Sequence, residues 1–91
     1  MKPAALREFM AREYPALEVN PLWIHSVFGI KVVELTRTSR GNIAGIRAFG
    51  GGNPTVATEE SLRAAIEQGL RAQVRSHQEI IVALDSIRRE H

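Results

Sequence analysis

The chain has 91 residues, of which 44% are hydrophobic and 24% charged, and its formal net charge is +2. These values are typical of one ordinary globular domain and argue against a disordered chain. The absence of cysteine excludes a disulfide scaffold, cysteine–zinc sites and thiol catalysis. No apolar run approaches the roughly 18 residues of a membrane helix, and residues 1–8 lack the apolar segment of a signal peptide. We therefore expect a cytoplasmic protein without a membrane partner, of a composition that would also suit a phage or mobile element.

Residues 3–14 predict a short helix. Pro3 suits a first helical turn, where its missing N–H group costs nothing. Leu6, Phe9 and Met10 share one face at helical spacing. Pro15 ends the helix, because its ring disfavours helical geometry at the residue before it.

The segment 20–29, NPLWIHSVFG, allows two interpretations. Asn20 could cap a helix that Pro21 opens and Gly29 closes. The apolar residues between them are equally good strand formers. We expect a short helix or turn packed on the core, and an extended segment is the alternative.

Residues 30–37 and 42–49 predict two antiparallel strands. The four residues between them, TSRG, end in a glycine. Such a loop is typical of a hairpin with a left-handed backbone position, here at Gly41.

The stretch FGGGNP, residues 49–54, raises the question of a phosphate-binding loop. Such a loop needs a lysine and a hydroxyl residue after its last glycine and a helix that starts at once. Here Asn53 and Pro54 follow, and the next helix starts only at Thr58, with an acidic first turn that would repel phosphate. We expect a joint between two structural elements, and a mobile ligand- or partner-binding loop is the alternative.

Residues 58–90 predict one long helix. Thr58 is a good N-cap, no proline follows it, and Gly69 is the only glycine. Apolar residues and one histidine recur every three or four positions in one continuous stripe. The members of the stripe are Leu62, Ile66, Leu70, Val74, His77, Ile81, Leu84 and Ile87.

This helix is too long for its own domain. It would extend for about 48 Å, whereas a compact domain of this size has a diameter of about 30 Å. Either the helix breaks near Gly69 and folds back, or a second chain covers the part of the helix that extends beyond the domain. We favour the second chain, because residues 80–84, IIVAL, are apolar on nearly all sides. The predicted oligomer interface consists of Leu70, Val74, His77, Ile81, Leu84 and Ile87.

The three histidines show no spacing that would bind a metal ion between them. His77 lies on the apolar stripe and is interpreted as a core or interface residue, and His25, beside Trp23, as a satisfied core histidine. His91 is the last residue of the sequence. We predict no metal site and no cofactor.

Carboxylates and serines form no catalytic grouping either. General acid–base catalysis needs positioned groups with tuned pKa values, and no pair of carboxylates suggests one. Glu34 is the only acid of its strand and could pair with Lys31, Arg37 or Arg47 across the hairpin. We predict that the protein is not an enzyme.

The middle of the chain is basic, since Glu34 is the only acid in residues 31–57. Guanidinium groups and hydroxyls at a hairpin tip can contact phosphates, and a two-stranded ribbon fits a major groove. The candidate nucleic-acid contacts are Arg37, Arg40 and Arg47. A solvated hairpin is the simpler interpretation, because a net charge of only +2 gives weak nucleic-acid affinity.

Together these patterns predict an α+β fold within a single domain, residues 1–91. Its elements are an N-terminal helix, a short helical or extended segment, an antiparallel β-hairpin and a long C-terminal helix. The expected function is that of a small non-catalytic protein-interaction or regulatory protein, such as an adaptor, inhibitor or assembly subunit. It would act as a homodimer or other homo-oligomer and bind another protein. A nucleic-acid-binding regulator that uses the basic hairpin is the alternative.

Overall fold

The computed structural model describes the backbone of residues 1–90 and the side chains of residues 1–79 and 81–85. An N-terminal helix, a five-stranded antiparallel sheet and a long C-terminal helix follow one another, which confirms the predicted α+β class. The strands lie side by side in chain order. In chain order the elements are α1 (Pro3–Glu13), β1 (Glu18–Val19), β2 (Trp23–His25), β3 (Lys31–Arg37), β4 (Ile43–Ala48), β5 (Thr55–Val56) and α2 (Glu59–Glu90).

Helix α1 forms where the sequence predicted it. Leu6, Phe9 and Met10 are buried, and they belong to the same hydrophobic core as Leu62 and Ile66 of α2. The helix ends at Glu13, and Tyr14 leaves helical geometry just before Pro15.

Of the two interpretations of residues 20–29, the extended one is confirmed and the favoured short helix is wrong, because Trp23–His25 form the strand β2 between β1 and β3. The Asn20 side chain does not start a helix. Its carboxamide oxygen accepts the N–H of Trp23 at 2.7 Å and so turns the chain into the strand. The Ser26 hydroxyl accepts two N–H groups of the following turn at 3.2 Å each. Local polar side chains thus close both ends of a strand only three residues long.

The hairpin of β3 and β4 confirms the prediction for residues 30–49. Glu34 pairs with Arg47 and Leu35 with Ile46 across it. Gly41 has a φ of +85°, the left-handed position that the loop requires.

A β-bulge in β3 shapes the core. Ile24 of β2 lies opposite Val33, whereas His25 lies opposite Lys31, so Val32 is the extra residue. Both Val32 and Val33 are fully buried. The bulge therefore adds one more apolar side chain to the core than strict alternation would allow.

The N-terminal half of helix α2 packs on β3 and β4. Leu62, Ala65 and Ile66 are buried against the sheet. The helix continues through Gly69 without a break, so the alternative of a fold-back at that glycine is wrong. Gly69 has a packing role instead, because the Val32 backbone lies against it too closely for any side chain.

The N-terminus of α2 is capped by Thr58, as predicted. The Thr58 hydroxyl accepts the N–H of Ser61 at 3.1 Å, and the Ser61 hydroxyl accepts the N–H of Thr58 at 2.9 Å. This reciprocal pair is a capping box in which serine replaces the usual glutamate. The glycine-rich stretch 49–54 joins β4 to β5 and does not open a helix.

Candidate interaction surface

Helix α2 projects beyond the rest of the domain. The last described side chain of α2 that forms a hydrogen bond with the sheet is that of Gln73, whose amide donates to the Lys31 carbonyl at 2.9 Å. The part of α2 that follows extends for about 26 Å at 1.5 Å per residue. The molecule accordingly measures 57 × 26 × 20 Å. We call the α2 residues after Gln73 the projecting segment.

The projecting segment carries large apolar side chains in the open. Val74 is 58% exposed, Ile81 44%, Leu84 49% and Val82 64%. Every described side chain of the segment is exposed. Valine, isoleucine and leucine are usually buried in globular proteins. Large apolar patches on protein surfaces are typical of interaction sites.

Four apolar residues and one histidine of α2 follow a heptad pattern. Leu70, Val74, His77, Ile81 and Leu84 recur at steps of four, three, four and three. This spacing is that of a coiled-coil seam. Leu70, half-buried, packs against the edge of the core, so the seam starts where the core ends. All five belong to the predicted oligomer interface, and the side chain of the sixth member, Ile87, lies outside the described residues.

Charged residues of this part of α2, among them Arg71 beside the seam, form only weak ion pairs within the chain. Arg71 approaches Glu67 at 3.7 Å, and Arg75 approaches Glu79 at 3.6 Å. Both are exposed pairs one helical turn apart, which contribute little to stability. Arg71 is therefore available to a second partner at small cost.

A groove of about 380 Å³ lies where α2 leaves the sheet. The sheet side is formed by the turn before β3 and by Phe49, and the helix side by the α2 turns around Ala72. Ile30 and Phe49, its large apolar side chains, are about half-exposed. Gly29, Ile30, Lys31, Phe49, Gly69, Ala72, Gln73 and Ser76 line it. The sequence did not predict this groove, because its lining residues come from three separate parts of the chain.

The three hairpin arginines do not form one free patch. Arg37 donates from Nη1 to the Gly41 carbonyl at 2.9 Å and from Nε to the Pro21 carbonyl. Arg47 forms an ion pair with Glu34, which confirms the pairing expected across the hairpin. Arg40 lies exposed in the loop. Two of the three guanidinium groups are thus engaged inside the chain.

Ion pairs join the two helices at the other end of the molecule. Arg63 of α2 donates to the Glu13 carboxylate, and Arg12 donates to Glu59 at 2.9 Å. The hydrogen bond from Arg63, followed by the charges of Arg63 and Arg12, holds the pKa of Glu13 below its ordinary value. The same hydrogen bond raises the pKa of Arg63. These contacts fix α1 against the part of α2 that lies on the sheet.

The histidines are dispersed. The half-buried His25 ring donates from Nδ1 to the Ser26 carbonyl at 2.8 Å and lies 3.9 Å from the Glu18 carboxylate. His77 is exposed on the projecting segment, and His91 lies outside the described residues. Among the side chains that the structure describes, residues 1–79 and 81–85, no three histidine or acidic groups lie close enough together to bind a metal ion.

Comparisons of the chain with protein-family models, with curated proteins and with solved structures found no match. Within the described part of the chain, neither helix combines the length and the apolarity that crossing a bilayer requires. The function therefore has to be inferred from the residues and their geometry.

Proposed function

We propose that this chain is a small, non-catalytic protein-interaction or regulatory protein of the cytoplasm, and that it acts as a homodimer joined through the projecting segment of α2. One observation carries the proposal. The projecting segment, about 26 Å long, extends beyond the rest of the domain and exposes Val74, Ile81 and Leu84 along a coiled-coil seam.

An unpaired helix that exposes large apolar side chains to water is energetically unfavourable. Fully burying one such side chain stabilises a structure by about 1.5–3 kcal/mol, and here several lie half-exposed. Isolated helices shorter than about 12–15 residues are marginal in water, and the projecting segment is only slightly longer. Packing against another helix would stabilise both its conformation and its apolar face.

A second copy of the chain fits this face in particular. The seam consists of aliphatic residues with one histidine at its centre, His77, so it can pack against itself in a two-fold arrangement. The flank of the seam carries both signs of charge, with Arg71 near its start and Asp85 near its end. A copy of the same helix therefore supplies the opposite charge for each.

A dimeric protein of this size without a catalytic grouping would serve as an adaptor, an inhibitor or an assembly subunit for another protein. The dispersed histidines support this class over an enzyme. The intramolecular contacts of Arg37 and Arg47 favour it over the nucleic-acid alternative, which would depend mainly on Arg40.

The proposal is tested with two aliphatic-to-acid variants of α2. Ile81→Asp places a charge in the seam, whereas Val82→Asp places the same charge at an exposed aliphatic position outside it. We expect light scattering on a sizing column to give a dimer for the wild type and for Val82→Asp, and a monomer for Ile81→Asp. Circular dichroism should show that all three are folded. A monomeric wild type, or two variants that behave alike, would contradict the proposal.

A further inference from the structure

A cleft lies between the start of α1 and the turn from β1 to β2, at the end of the sheet where β3 ends. Its volume is about 280 Å³, near the lower limit of about 300 Å³ for sites that hold small ligands. Leu6, which belongs to the hydrophobic core, lines it, so the cleft reaches down to the core. Its other lining residues are Pro3, Arg7, Val19, Asn20, Pro21 and Arg37. We call it the basic cleft.

Three segments of the chain meet at this end of the molecule. Arg37 donates hydrogen bonds to the Pro21 and Gly41 carbonyls. The N–H of Ile43 donates to the Met1 carbonyl at 2.7 Å. The segments that these bonds join are residues 1–7, 19–22 and 37–43, and none of them contains an aspartate or glutamate.

Positive charge at this end has no acidic partner within the described part of the chain. Its positively charged side chains are Lys2, Arg7, Arg37 and Arg40. None of them forms an ion pair with a described side chain, whereas every described arginine elsewhere does. Glu8 follows Arg7 on α1 but does not line the basic cleft. Such a concentration of one charge attracts ligands of the opposite sign.

The two arginines of the basic cleft suit a carboxylate. The hydrogen bonds of Arg37 end on uncharged carbonyl oxygens, so they hold its guanidinium group in place without neutralising it. Arg7 is exposed on the first turns of α1. Guanidinium groups bind carboxylates with paired, charge-assisted hydrogen bonds, and the apolar walls offer contacts to a side chain beside the carboxylate.

Resting on the proposed function, which requires a protein partner, we propose that the basic cleft binds an acidic segment of that partner. A carboxylate of the segment accepts hydrogen bonds from Arg7 and Arg37, and a neighbouring apolar side chain packs on Leu6. Recognition of acidic motifs by clustered arginines is a recurrent mode of peptide binding. The apolar walls favour a peptide over nucleic acid, whose phosphate backbone has no apolar side chain to place between them.

The basic cleft and the projecting segment lie at opposite ends of β3. Lys31, whose carbonyl accepts the hydrogen bond from Gln73, is the first residue of the strand, and Arg37 is the last. At about 3.3 Å per residue these two ends are about 20 Å apart. A dimer joined through the projecting segments therefore leaves both basic clefts open to partner proteins.

The probe for this site is the peptide acetyl-Asp-Leu-Asp-Leu-amide. It is added to the isotope-labelled wild-type chain, and the amide chemical shifts are followed by NMR. We expect saturable shifts at Arg7, Val19 and Arg37, with a dissociation constant of about 1 mM or lower. Shifts that do not saturate, or that spread equally over the exposed arginines of α2, would overturn the proposal.

Two control peptides separate charge from apolar contact. One carries asparagine in place of aspartate, and the other carries glycine in place of leucine. We expect each to bind about fivefold more weakly or worse, because each lacks one of the two contacts. Unchanged affinity of the asparagine peptide would overturn the role of the arginines, and unchanged affinity of the glycine peptide would overturn the role of the apolar walls.

Arg7→Ala and its control Arg75→Ala remove the same charge from exposed helix positions, but only Arg7 lines the basic cleft. We expect Arg7→Ala to weaken binding of the acidic peptide about fivefold or more. Arg75→Ala should change it by less than about twofold. Equal effects of the two variants would show that the peptide responds only to net charge, which would overturn the site.

The remaining outcomes separate this inference from its alternatives. Shifts at the basic cleft with an octamer of deoxythymidylate, but none with the acidic peptide, would overturn the acidic segment as the occupant. A dimeric wild type that does not bind the peptide would overturn the inference and leave dimerisation intact. A monomeric wild type that binds it at Arg7 and Arg37 would support the basic cleft and contradict only the proposed dimer.

Discussion

The backbone of Val32 in β3 lies directly against Gly69 of α2. A Cβ atom added to Gly69 would overlap the Val32 carbonyl oxygen and lie 2.9 Å from Cγ1 of the same valine. The glycine therefore permits the close approach of helix and sheet from which α2 continues outward. Only beyond this contact does the helix leave the core.

Gly69→Ala should consequently destabilise the protein by about 1–3 kcal/mol, as overpacked cores do. In a solvent-exposed helix the same change stabilises by about 1 kcal/mol, so the sign of the effect distinguishes the two situations. Gly52→Ala is the control, since a Cβ at Gly52 meets no atom within 4 Å and the φ of this residue is not positive. Urea denaturation gives both values, and a Gly69→Ala variant as stable as the wild type would refute the close contact.

The hairpin arginines differ in what they do for the fold. Arg37→Ala should lower the free energy of unfolding by about 1–2 kcal/mol, because it removes hydrogen bonds to the Pro21 and Gly41 carbonyls. Arg40→Ala, in the exposed loop, should change it by less than about 0.5 kcal/mol. Thermal unfolding of the two variants tests this difference, and equal melting temperatures would contradict it.

The same variants address the nucleic-acid alternative. We expect wild-type protein to show no tight binding to duplex DNA or RNA in a fluorescence-anisotropy titration at low salt. Binding that weakens steeply with added salt and falls in Arg40→Ala would contradict this expectation and support the alternative.

Acid should weaken the link between the two helices. The pKa of Glu13 is lowered below its ordinary value of 4.5 by the hydrogen bond from Arg63, so folding favours the ionised form of this carboxyl group. Its contribution to stability is fully present above pH 4.5 and is lost as the pH falls through the lower pKa of the folded state. Glu13→Gln should therefore reduce the loss of stability between neutral pH and about pH 3.

Glu8→Gln is the control for this measurement, because Glu8 also lies exposed on α1 and has no ion pair among the described side chains. Its stability should fall with pH in parallel with the wild type. Parallel curves for all three proteins would show that Glu13 is not linked to folding.

Hydrogen exchange should locate the interface. Dimerisation protects helix amides that would otherwise open easily, because unsupported helix ends fray. Raising the protein concentration should therefore slow exchange in residues 74–85 and leave β3 and β4 unchanged. Concentration-independent exchange of the projecting segment would argue against self-association through it.

The sequence predicted those elements whose patterns extend over several residues. Periodic apolar residues defined α1 and α2, and a four-residue loop ending in Gly41 defined the hairpin. Strand β2 was only one of two interpretations, because its apolar residues suit a helix and a strand equally well, and only pairing with β3 decides between them. The two-residue strands β1 and β5 are too short to show any alternation.

The candidate site was predictable only along α2. The stripe from Leu70 to Leu84 can be recognised in the sequence, because helical spacing places these residues on one face. The groove could not be predicted, since it joins Ile30 and Phe49 to the helix through tertiary packing. The packing role of Gly69 could not be predicted either, because the sequence cannot show that the Val32 backbone lies against it.

Dimerisation through α2 is tested most directly by the mass of the unmodified chain in solution, measured by sedimentation equilibrium over a wide range of protein concentrations. We expect a reversible rise from the chain mass of 10.1 kDa to twice that value. A mass that stays at the monomer value up to about 100 µM, well above a micromolar dissociation constant, would contradict dimerisation through α2.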